Sequence, residues 1–298
     1  MPELRRYATA TAFRAALETR LRQQAGGSQT SLGRLRRQVA FERLLARLFR
    51  ESGSPWLLKG GYALELRLGD IARATRDLDL GVPDPALLAV SDTKIGVALR
   101  EALADAAERD LGDWFAFAIG EVTADLDGPP GGGARYPVAC WLDGRVFAQF
   151  HVDVALGDGV TGQPERLNGH DFLGFAGIPP ARPAVLPAAQ HFAEKVHAYT
   201  FPWRDRPNTR VRDLVDLILL IDTGLLEPSA TVAALLLTFA RRATHPLPSE
   251  LPPPPEGWAM PFAALAEEVA LAERTVDAAF ARVSTFFAAL PLEGYEKD

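Results

Sequence analysis

Apolar residues recur every three or four positions at both ends of the chain. Near the N-terminus, Leu32, Leu35 and Leu48 belong to such a pattern, with arginines between them, and it predicts amphipathic helices over residues 8–50. Beyond a proline-rich segment, 178–187, the same period returns for the rest of the chain. It predicts helices near residues 187–201, 209–224, 229–242 and 258–290.

The middle of the chain follows a different period. Over residues 74–82, apolar and polar residues alternate, which predicts a β-strand with Asp77 and Asp79 on the face opposite its apolar side chains. A short apolar run at 56–58 lies upstream of this strand. Helices are predicted on either side of the strand, over residues 62–68 and 85–111.

Residues 114–156 are predicted to form antiparallel strands. Asp143-Gly144 is a strong signal for a tight hairpin turn. In the arm after the turn, alternation predicts one apolar face, made of Val146, Ala148, Phe150, Val152 and Val154. The opposite face is predicted to carry Phe147, Gln149, His151 and Asp153.

The order of these elements predicts N-terminal helices, a mixed α/β core and a helical C-terminal half. The chain has 298 residues, which is enough for two ordinary domains. A boundary near residue 180, in the proline-rich connector, gives predicted domains of residues 1–180 and 181–298.

Charge is distributed unevenly. The net charge is −6, yet residues 1–50 contain eleven arginines and three glutamates. Such a basic segment can attract a polyanion such as RNA, or it can be the solvated face of helices. The single cysteine, Cys140, excludes a disulfide framework within the chain. No apolar run is long enough for a membrane helix and no signal peptide is evident, so we expect a cytoplasmic protein with no membrane partner.

Two features together indicate phosphate and metal chemistry. Gly60 and Gly61, between a short apolar run and a helix, let the backbone and the helix N-terminus approach a phosphate. Asp77 and Asp79 on one strand face have Cα atoms about 7 Å apart. Paired carboxylates repel unless a cation lies between them, and oxygen ligands suit Mg²⁺. With Asp153 as a third carboxylate on a later strand, the combination predicts a nucleotidyltransferase active site.

These residues resemble the AbiEii-type nucleotidyltransferase toxin family. The family pattern K-G-G-x-x-L begins here at Lys59, and R-x-[ST]-x-D-x-D spans Arg73–Asp79. Downstream, Glu194-Lys195 is followed by R-x-R-D-h-x-D at Arg210–Asp216, where h is an apolar residue. The resemblance covers roughly residues 40–225 in order.

The resemblance implies a fold and an activity. The fold would be α/β (α+β), with a nucleotidyltransferase-like mixed sheet, N-terminal helices and a helical C-terminal domain that completes the active site. The activity would be transfer of a nucleoside monophosphate from an NTP with Mg²⁺ or Mn²⁺, restrained by a cognate antitoxin encoded nearby. Mycobacterial members of the family modify the 3′ end of tRNA and so block translation, which makes tRNA or another RNA the expected acceptor.

Roles follow residue by residue from the resemblance. Asp77 and Asp79 would hold the metal, Lys195 would contact the triphosphate and Asp213 would complete the catalytic site. Nucleotide binding would involve Lys59, Gly60, Gly61, Thr75 and Lys195. Asp153 is added from its strand phase as a third metal ligand and an acceptor of the substrate proton.

The same residues are compatible with other acceptors and other roles. The acceptor could be a small molecule such as an antibiotic or a protein side chain, or the protein could be a phage-defence module with another target. An inactive binding module is disfavoured because the acids and Lys195 are all present. Lys195 and Asp213 could instead be surface residues, with Asp213 paired to Arg210. Some relatives are inactivated by an antitoxin that phosphorylates a serine at the position of Thr75, which makes Thr75 a regulatory candidate as well.

Overall fold

The computed structural model describes residues 6–51, 53–84, 86, 95–126, 130–203 and 207–292. The chain divides into two compact units. The first contains Met1–Tyr62, Ala74–Gly157 and Arg166–Val185, and the second contains Ala63–Arg73, Asp158–Glu165 and Leu186–Asp298. The domain boundary near residue 180 stays a prediction.

A mixed β-sheet forms the centre of the first unit. Its strands are β1 Leu57–Lys59, β2 Leu78–Val82, β3 Phe115–Ile119, β4 Ala124–Asp125, β5 Gly133–Leu142, β6 Arg145–Leu156, β7 Glu165–Arg166 and β8 Ala184–Val185. The strand order is β3-β5-β6-β2-β1-β8-β7, and β4 pairs with β5. The pairs β2–β6 and β1–β8 are parallel, whereas β1–β2 and the β3–β5–β6 pairs are antiparallel. The sheet is therefore mixed, as predicted.

Two helices of the N-terminal half, Gln29–Leu48 and Ile95–Ala107, pack on this sheet. The helices of the N-terminal half are α1 Ala10–Gln24, α2 Gln29–Leu48, α3 Gly60–Leu68 and α4 Ile95–Ala107. Ser28 caps α2 by accepting a hydrogen bond from the backbone N–H of Ser31. Phe41 of α2 packs edge-on against Phe150 of β6, with ring centroids 4.8 Å apart. Only part of the predicted helix 85–111 can be compared with α4, because residues 85 and 87–94 lie outside the described residues.

The β5–β6 hairpin contains an irregularity that the alternation did not predict. Asp143 and Gly144 form the turn, both with positive φ, as their sequence predicts. A β-bulge follows, because Trp141 pairs with Val146 and Cys140 pairs with Ala148. The extra residue, Phe147, is buried, while Val146 is 43% exposed. The predicted faces are therefore wrong for these two residues and confirmed from Ala148 onward.

The second unit is a cluster of helices around its own apolar core. Its helices are α5 Ala188–Thr200, α6 Val211–Asp222, α7 Pro228–Arg242, α8 Ala259–Glu268 and α9 Val276–Ala288. Leu217 of α6 lies in this core with Phe192 of α5 and Phe287 of α9. The predicted helix 258–290 is interrupted between α8 and α9, where Ala270 has a φ of 51°. Among the helices that the structure describes, none combines the length and apolar character needed to cross a bilayer.

Candidate active site

Three carboxylates lie in neighbouring positions of the first unit. Asp79 of β2 and Asp153 of β6 are direct register partners in adjacent parallel strands. Their strand neighbours Leu78, Leu80 and Val152 are fully buried. Asp77 lies immediately before β2. The structure thus brings together the three acids predicted from the sequence. Alternation turns Asp79 and Asp153 away from the apolar face of their strands, and Asp77 lies beside them just before the start of β2.

Arg135 connects two of these carboxylates. Its Nε and Nη2 each donate a 2.7 Å hydrogen bond to one oxygen of Asp153, and Nη2 lies 3.6 Å from Asp77 Oδ2. The hydrogen bonds that Arg135 donates to Asp153 raise the pKa of Arg135 against the opposing effect of burial. On the other side of Asp77, His151 Nδ1 lies 3.6 Å from Oδ1. Sequence reasoning did not select Arg135. Continuing the register of the hairpin turn would pair it with Val152, and the bulge moves its partner to Asp153.

The glycine turn lies directly beside these acids. Gly60 has a φ of +64°, in the left-handed region that favours glycine. A Cβ at this position would be 1.9 Å from Asp79 Oδ2, which no side chain can tolerate. Lys59 pairs in register with Asp79, and α3 begins at Gly60. The backbone N–H groups of Gly60 and Gly61 therefore begin a helix next to a candidate metal ligand.

A second ionic cluster lies in the helical unit and contains Lys195 of α5 and Asp213 of α6. Lys195 Nζ contacts Asp213 Oδ1 at 2.8 Å and Asp216 Oδ2 at 2.7 Å. Arg73 binds both oxygens of Asp216 through Nε and Nη2, each at 2.8 Å. The side chain of Asp216 is fully buried and that of Lys195 is 14% exposed. The alternative that Lys195 and Asp213 are surface residues is therefore wrong, although Arg210 does lie 3.6 Å from Asp213.

Mutual attraction keeps this cluster charged despite its burial. Burial opposes the charge on Lys195, but the carboxylates of Asp213 and Asp216 outweigh it and raise the pKa of Lys195. Burial likewise opposes ionisation of Asp216, and Lys195 and Arg73 outweigh it and lower the pKa of Asp216. Sequence reasoning did not assign Arg73 and Asp216 to one cluster. The sequence did point to both residues, because Arg73 is a fixed position of the first family motif and Asp216 is a fixed position of the second.

Comparison with known proteins identifies the family of this chain. The family model described as "Nucleotidyl transferase AbiEii toxin, Type IV TA system" matches residues 43–283. The chain belongs to the AbiEii nucleotidyltransferase toxin family. The family predicted from the motifs is thus confirmed, and the protein is a nucleotidyltransferase. Among curated protein sequences, none matches the chain significantly.

Comparison with solved structures gives a likeness at the level of the fold. The chain is similar to MenT4, a nucleotidyltransferase toxin from Mycobacterium tuberculosis H37Rv, with 19% identity and a TM-score of 0.60. That match covers 91% of this chain and 88% of MenT4. A match to the antibiotic-resistance factor ANT(2'')-Ia has 17% identity, covers 70% of this chain and 93% of the other, and has a TM-score of 0.36. The likeness to MenT4 confirms the predicted nucleotidyltransferase-like α/β fold.

The donor chemistry of the sheet site fits a divalent cation. Asp77, Asp79 and Asp153 provide only oxygen ligands, which suit Mg²⁺ or Mn²⁺. Within the described ranges, no group of three His, Cys, Asp or Glu side chains is arranged to hold a metal ion. The guanidinium of Arg135 instead lies between two of the carboxylates and supplies the positive charge that they require. Arg135 is therefore the competitor of a metal at this site.

Thr75 lies in a turn before β2. The predicted strand 74–82 is shorter than expected, because β2 begins only at Leu78. Strand alternation therefore does not place Thr75 beside the acids. Its hydroxyl instead donates a 3.1 Å hydrogen bond to the backbone carbonyl of Asp77. This hydrogen bond couples Thr75 to the backbone of a candidate metal ligand.

Proposed function

We propose that this AbiEii-family nucleotidyltransferase transfers a nucleoside monophosphate from an NTP to the 3′ end of an RNA and thereby blocks translation. tRNA is the acceptor that the family resemblance implies. The observation that carries the proposal is the grouping of Asp77, Asp79 and Asp153 beside the turn at Gly60. A nucleotidyl transfer needs both a backbone that can bind phosphate and carboxylates that can bind a metal, and the turn with the three acids beside it supports this proposal.

In this proposal, each group at the turn has a role. The backbone N–H groups of Gly60 and Gly61 bind phosphate oxygens of the NTP, and Lys59 adds a positive charge near them. Asp77, Asp79 and Asp153 hold Mg²⁺ or Mn²⁺. A bound divalent ion supplies charge stabilisation to the reacting phosphate oxygens.

The reaction is an in-line displacement. The 3′ hydroxyl oxygen of the RNA attacks the α-phosphorus of the NTP, so that an O–P bond forms as the bond to the departing pyrophosphate breaks. The electron pair of the broken bond leaves with the pyrophosphate. Asp153 takes the hydroxyl proton, since each of its oxygens has a lone pair beyond the one that accepts from Arg135.

Lys195 and Asp213 are assigned to NTP use on the basis of the family motif. The ammonium group of Lys195 has three N–H donors, and its contacts to Asp213 and Asp216 engage two of them. The third donor remains for a phosphate oxygen. Asp213 orients Lys195 through their 2.8 Å hydrogen bond.

Thr75 is assigned a regulatory role. A phosphate on its hydroxyl would remove the hydrogen bond to the Asp77 carbonyl and add about −1.5 to −2 charge close to the carboxylates. Repulsion of the triphosphate would then stop transfer. A cognate antitoxin that modifies Thr75 would control the enzyme in this way.

The test is incubation of the purified protein with each labelled NTP, total tRNA and Mg²⁺ or Mn²⁺. Label on RNA, removed by a nuclease that trims 3′ ends, is the expected result. Label on the protein itself, or on an added aminoglycoside and not on RNA, would assign a different acceptor. Absence of any label with all four NTPs and both metals would contradict the proposed activity.

A further inference from the structure

A cavity of about 640 Å³ opens on the first unit beside Asp77. Its volume is within the range of small-molecule sites and exceeds what one nucleotide needs. Strands β3, β5 and β6 form its floor. Arg37 of α2 and Arg76, which precedes Asp77, line it as well. The cavity thus combines a sheet floor, two cations and one of the candidate metal ligands.

The floor of this cavity contains small residues that lie in register across two strands. Ala118 pairs with Ala139, and the N–H of Gly120 donates to the carbonyl of Pro137. A Cβ at Gly120 would be 2.7 Å from the ring of Pro137, so that a larger residue cannot be accommodated there without a shift. Such a surface accepts a planar group, with polar atoms of Gln149 available at its side.

The basic N-terminal segment is mostly engaged by the protein itself. Ten of its arginines lie in the described part of residues 6–50. Two pair with Glu18, two pair with Asp113 and four others donate to backbone carbonyl oxygens. These eight arginines thus contact other groups of the protein.

Arg37 differs from those eight. Its Nε is shielded from solvent and has no hydrogen-bond partner, although buried donors are nearly always paired. Burial lowers the pKa of Arg37, and the nearby guanidinium of Arg76 lowers it further, while Asp77 opposes them. Two guanidinium groups that repel each other across one cavity form a site for an anion, and arginine pairs particularly well with phosphate.

Strand order separates this cavity from the glycine turn. The turn lies at the end of β1, on one side of β2, and the cavity lies over β6, β5 and β3 on the other side. If the NTP phosphates bind at Gly60 and Gly61, the cavity lies on the opposite side of the carboxylates. An in-line displacement needs the attacking hydroxyl and the leaving pyrophosphate on opposite sides of the α-phosphorus.

We propose that this cavity binds the 3′-terminal nucleotide of the RNA acceptor, with its phosphate on Arg37 and Arg76 and its nucleoside on the floor of small residues. The inference rests on the proposed function, because it takes RNA as the acceptor. It adds the subsite that presents the 3′ hydroxyl to the carboxylates.

The experiment compares RNA labelling by the wild type, the double variant R37Q/R76Q and the control R22Q. Arg22 belongs to the same basic segment, is 62% exposed and pairs with Glu18 away from the cavity. In the double variant we expect the KM for RNA to rise about tenfold, with the KM for NTP nearly unchanged. The dependence of RNA binding on salt should also weaken, by about 0.7 in the logarithmic slope for one phosphate. R22Q should behave as the wild type does.

A second pair of variants tests the floor without changing charge. Ala118 is exposed on the floor, and Ala116 is exposed two residues earlier on the same strand face, outside the cavity. A118W should raise the KM for RNA, whereas A116W should leave it unchanged. An unchanged KM for RNA in both R37Q/R76Q and A118W, or a rise confined to the KM for NTP, overturns this inference and leaves the proposed function standing. Failure of the wild type to label RNA overturns both.

Discussion

The two ionic clusters of this protein differ in their access to water. On the sheet, the side chains of Asp77 and Arg135 are 36% and 37% exposed. In the helical unit, Asp216 is fully buried and Asp213 is 5% exposed. An exposed ion pair contributes about 0–1 kcal/mol, so its members can exchange partners for a metal or a phosphate. A buried pair cannot do so, because removal of one ion leaves the other uncompensated at a cost of about 3–5 kcal/mol. The same family motifs thus contain acids that can exchange partners and acids whose partners are fixed by burial.

Asp77→Ala is expected to separate activity from stability most strongly. Loss of a metal ligand should reduce nucleotidyl transfer at least about a thousandfold, the equivalent of about 4 kcal/mol. The free energy of unfolding should change by less than about 1 kcal/mol, because the contacts of Asp77 to Arg135 and His151 are long and exposed. Labelling of RNA and urea unfolding measure the two quantities. Asp125→Ala, at an exposed acid of β4, is the matched control, and transfer retained by Asp77→Ala would remove this residue from the metal site.

Asp216→Asn is expected to show the opposite behaviour. The free energy of unfolding should fall by about 3–5 kcal/mol, because Lys195 and Arg73 lose the charge that compensates them. Asp222→Asn, at a part-exposed acid of the same helix that pairs with Arg282, should cost less than about 1 kcal/mol. The pKa of Asp216 is lowered by folding, so its stabilisation is present above the ordinary value of 3.8 and is lost as the pH falls below it. Equal stabilities of the two variants in urea would show that burial does not distinguish the clusters.

Thr75 allows charge to be added beside the exposed cluster. Thr75→Glu should reduce transfer about a hundredfold, the equivalent of about 2.7 kcal/mol of repulsion between like charges a few ångström apart. Thr75→Val removes only the hydrogen bond to the Asp77 carbonyl, worth about 1 kcal/mol, and should stay active. Mass spectrometry of the toxin expressed with the neighbouring gene product then tests modification. Neutralisation of a toxin whose Thr75 carries no phosphate would contradict the regulatory role.

Lys195→Arg tests whether the buried cluster also serves the NTP. The substitution keeps the charge that Asp213 and Asp216 require, but replaces a compact ammonium by a planar fork. We expect the KM for NTP to rise about tenfold, with a smaller loss of stability than in Asp216→Asn. Steady-state kinetics at varied NTP gives the answer, and a KM equal to that of the wild type would limit Lys195 to a structural role.

Glu42 provides a third case beside the two ionic clusters, because it is a buried acid held by hydrogen bonds from neutral groups. Tyr62 donates to its Oε1 at 2.7 Å, and the N–H of Ala181 donates to its Oε2 at 3.2 Å. Burial raises the pKa of Glu42 to about 7, from 4.5. Because the pKa of Glu42 is higher in the folded than in the unfolded protein, its protonation stabilises the fold. This contribution is fully present below pH 4.5 and is lost as the pH rises through about 7.

The Glu42→Gln variant is expected to remove this pH dependence. As the pH rises from 4.5 to 7, Glu42 should lower the free energy of unfolding of the wild type by about 1 kcal/mol per pH unit. The variant should lack this contribution. Urea unfolding at several pH values measures the difference. Parallel pH profiles for the two proteins would show that Glu42 ionises in the fold as readily as it does in water.

Local patterns in the sequence were enough to predict most elements and the placement of Asp79 and Asp153. The periods of two and of 3.6 residues depend only on neighbours a few positions away. They therefore indicated β2, the β5–β6 hairpin and the C-terminal helices, but missed the late start of β2, the bulge and the break between α8 and α9. They also fixed which face Asp79 and Asp153 occupy. The motifs then indicated the family, because their order and spacing along the chain are more specific than any single motif.

Only the tertiary structure decided which charges meet. Arg73 and Asp216 are 143 residues apart in sequence, and no local period can pair them. Arg135 reaches Asp153 because Phe147 adds one residue to a strand and shifts the register that the turn had set. Arg37 is one of eleven arginines near the N-terminus, and only packing shows that its Nε has no hydrogen-bond partner. The sequence determined the face on which each side chain lies, whereas packing determined its partner. An ion pair needs its two charged groups within about 4 Å of each other. Only the tertiary structure brings groups that are far apart along the chain to that distance.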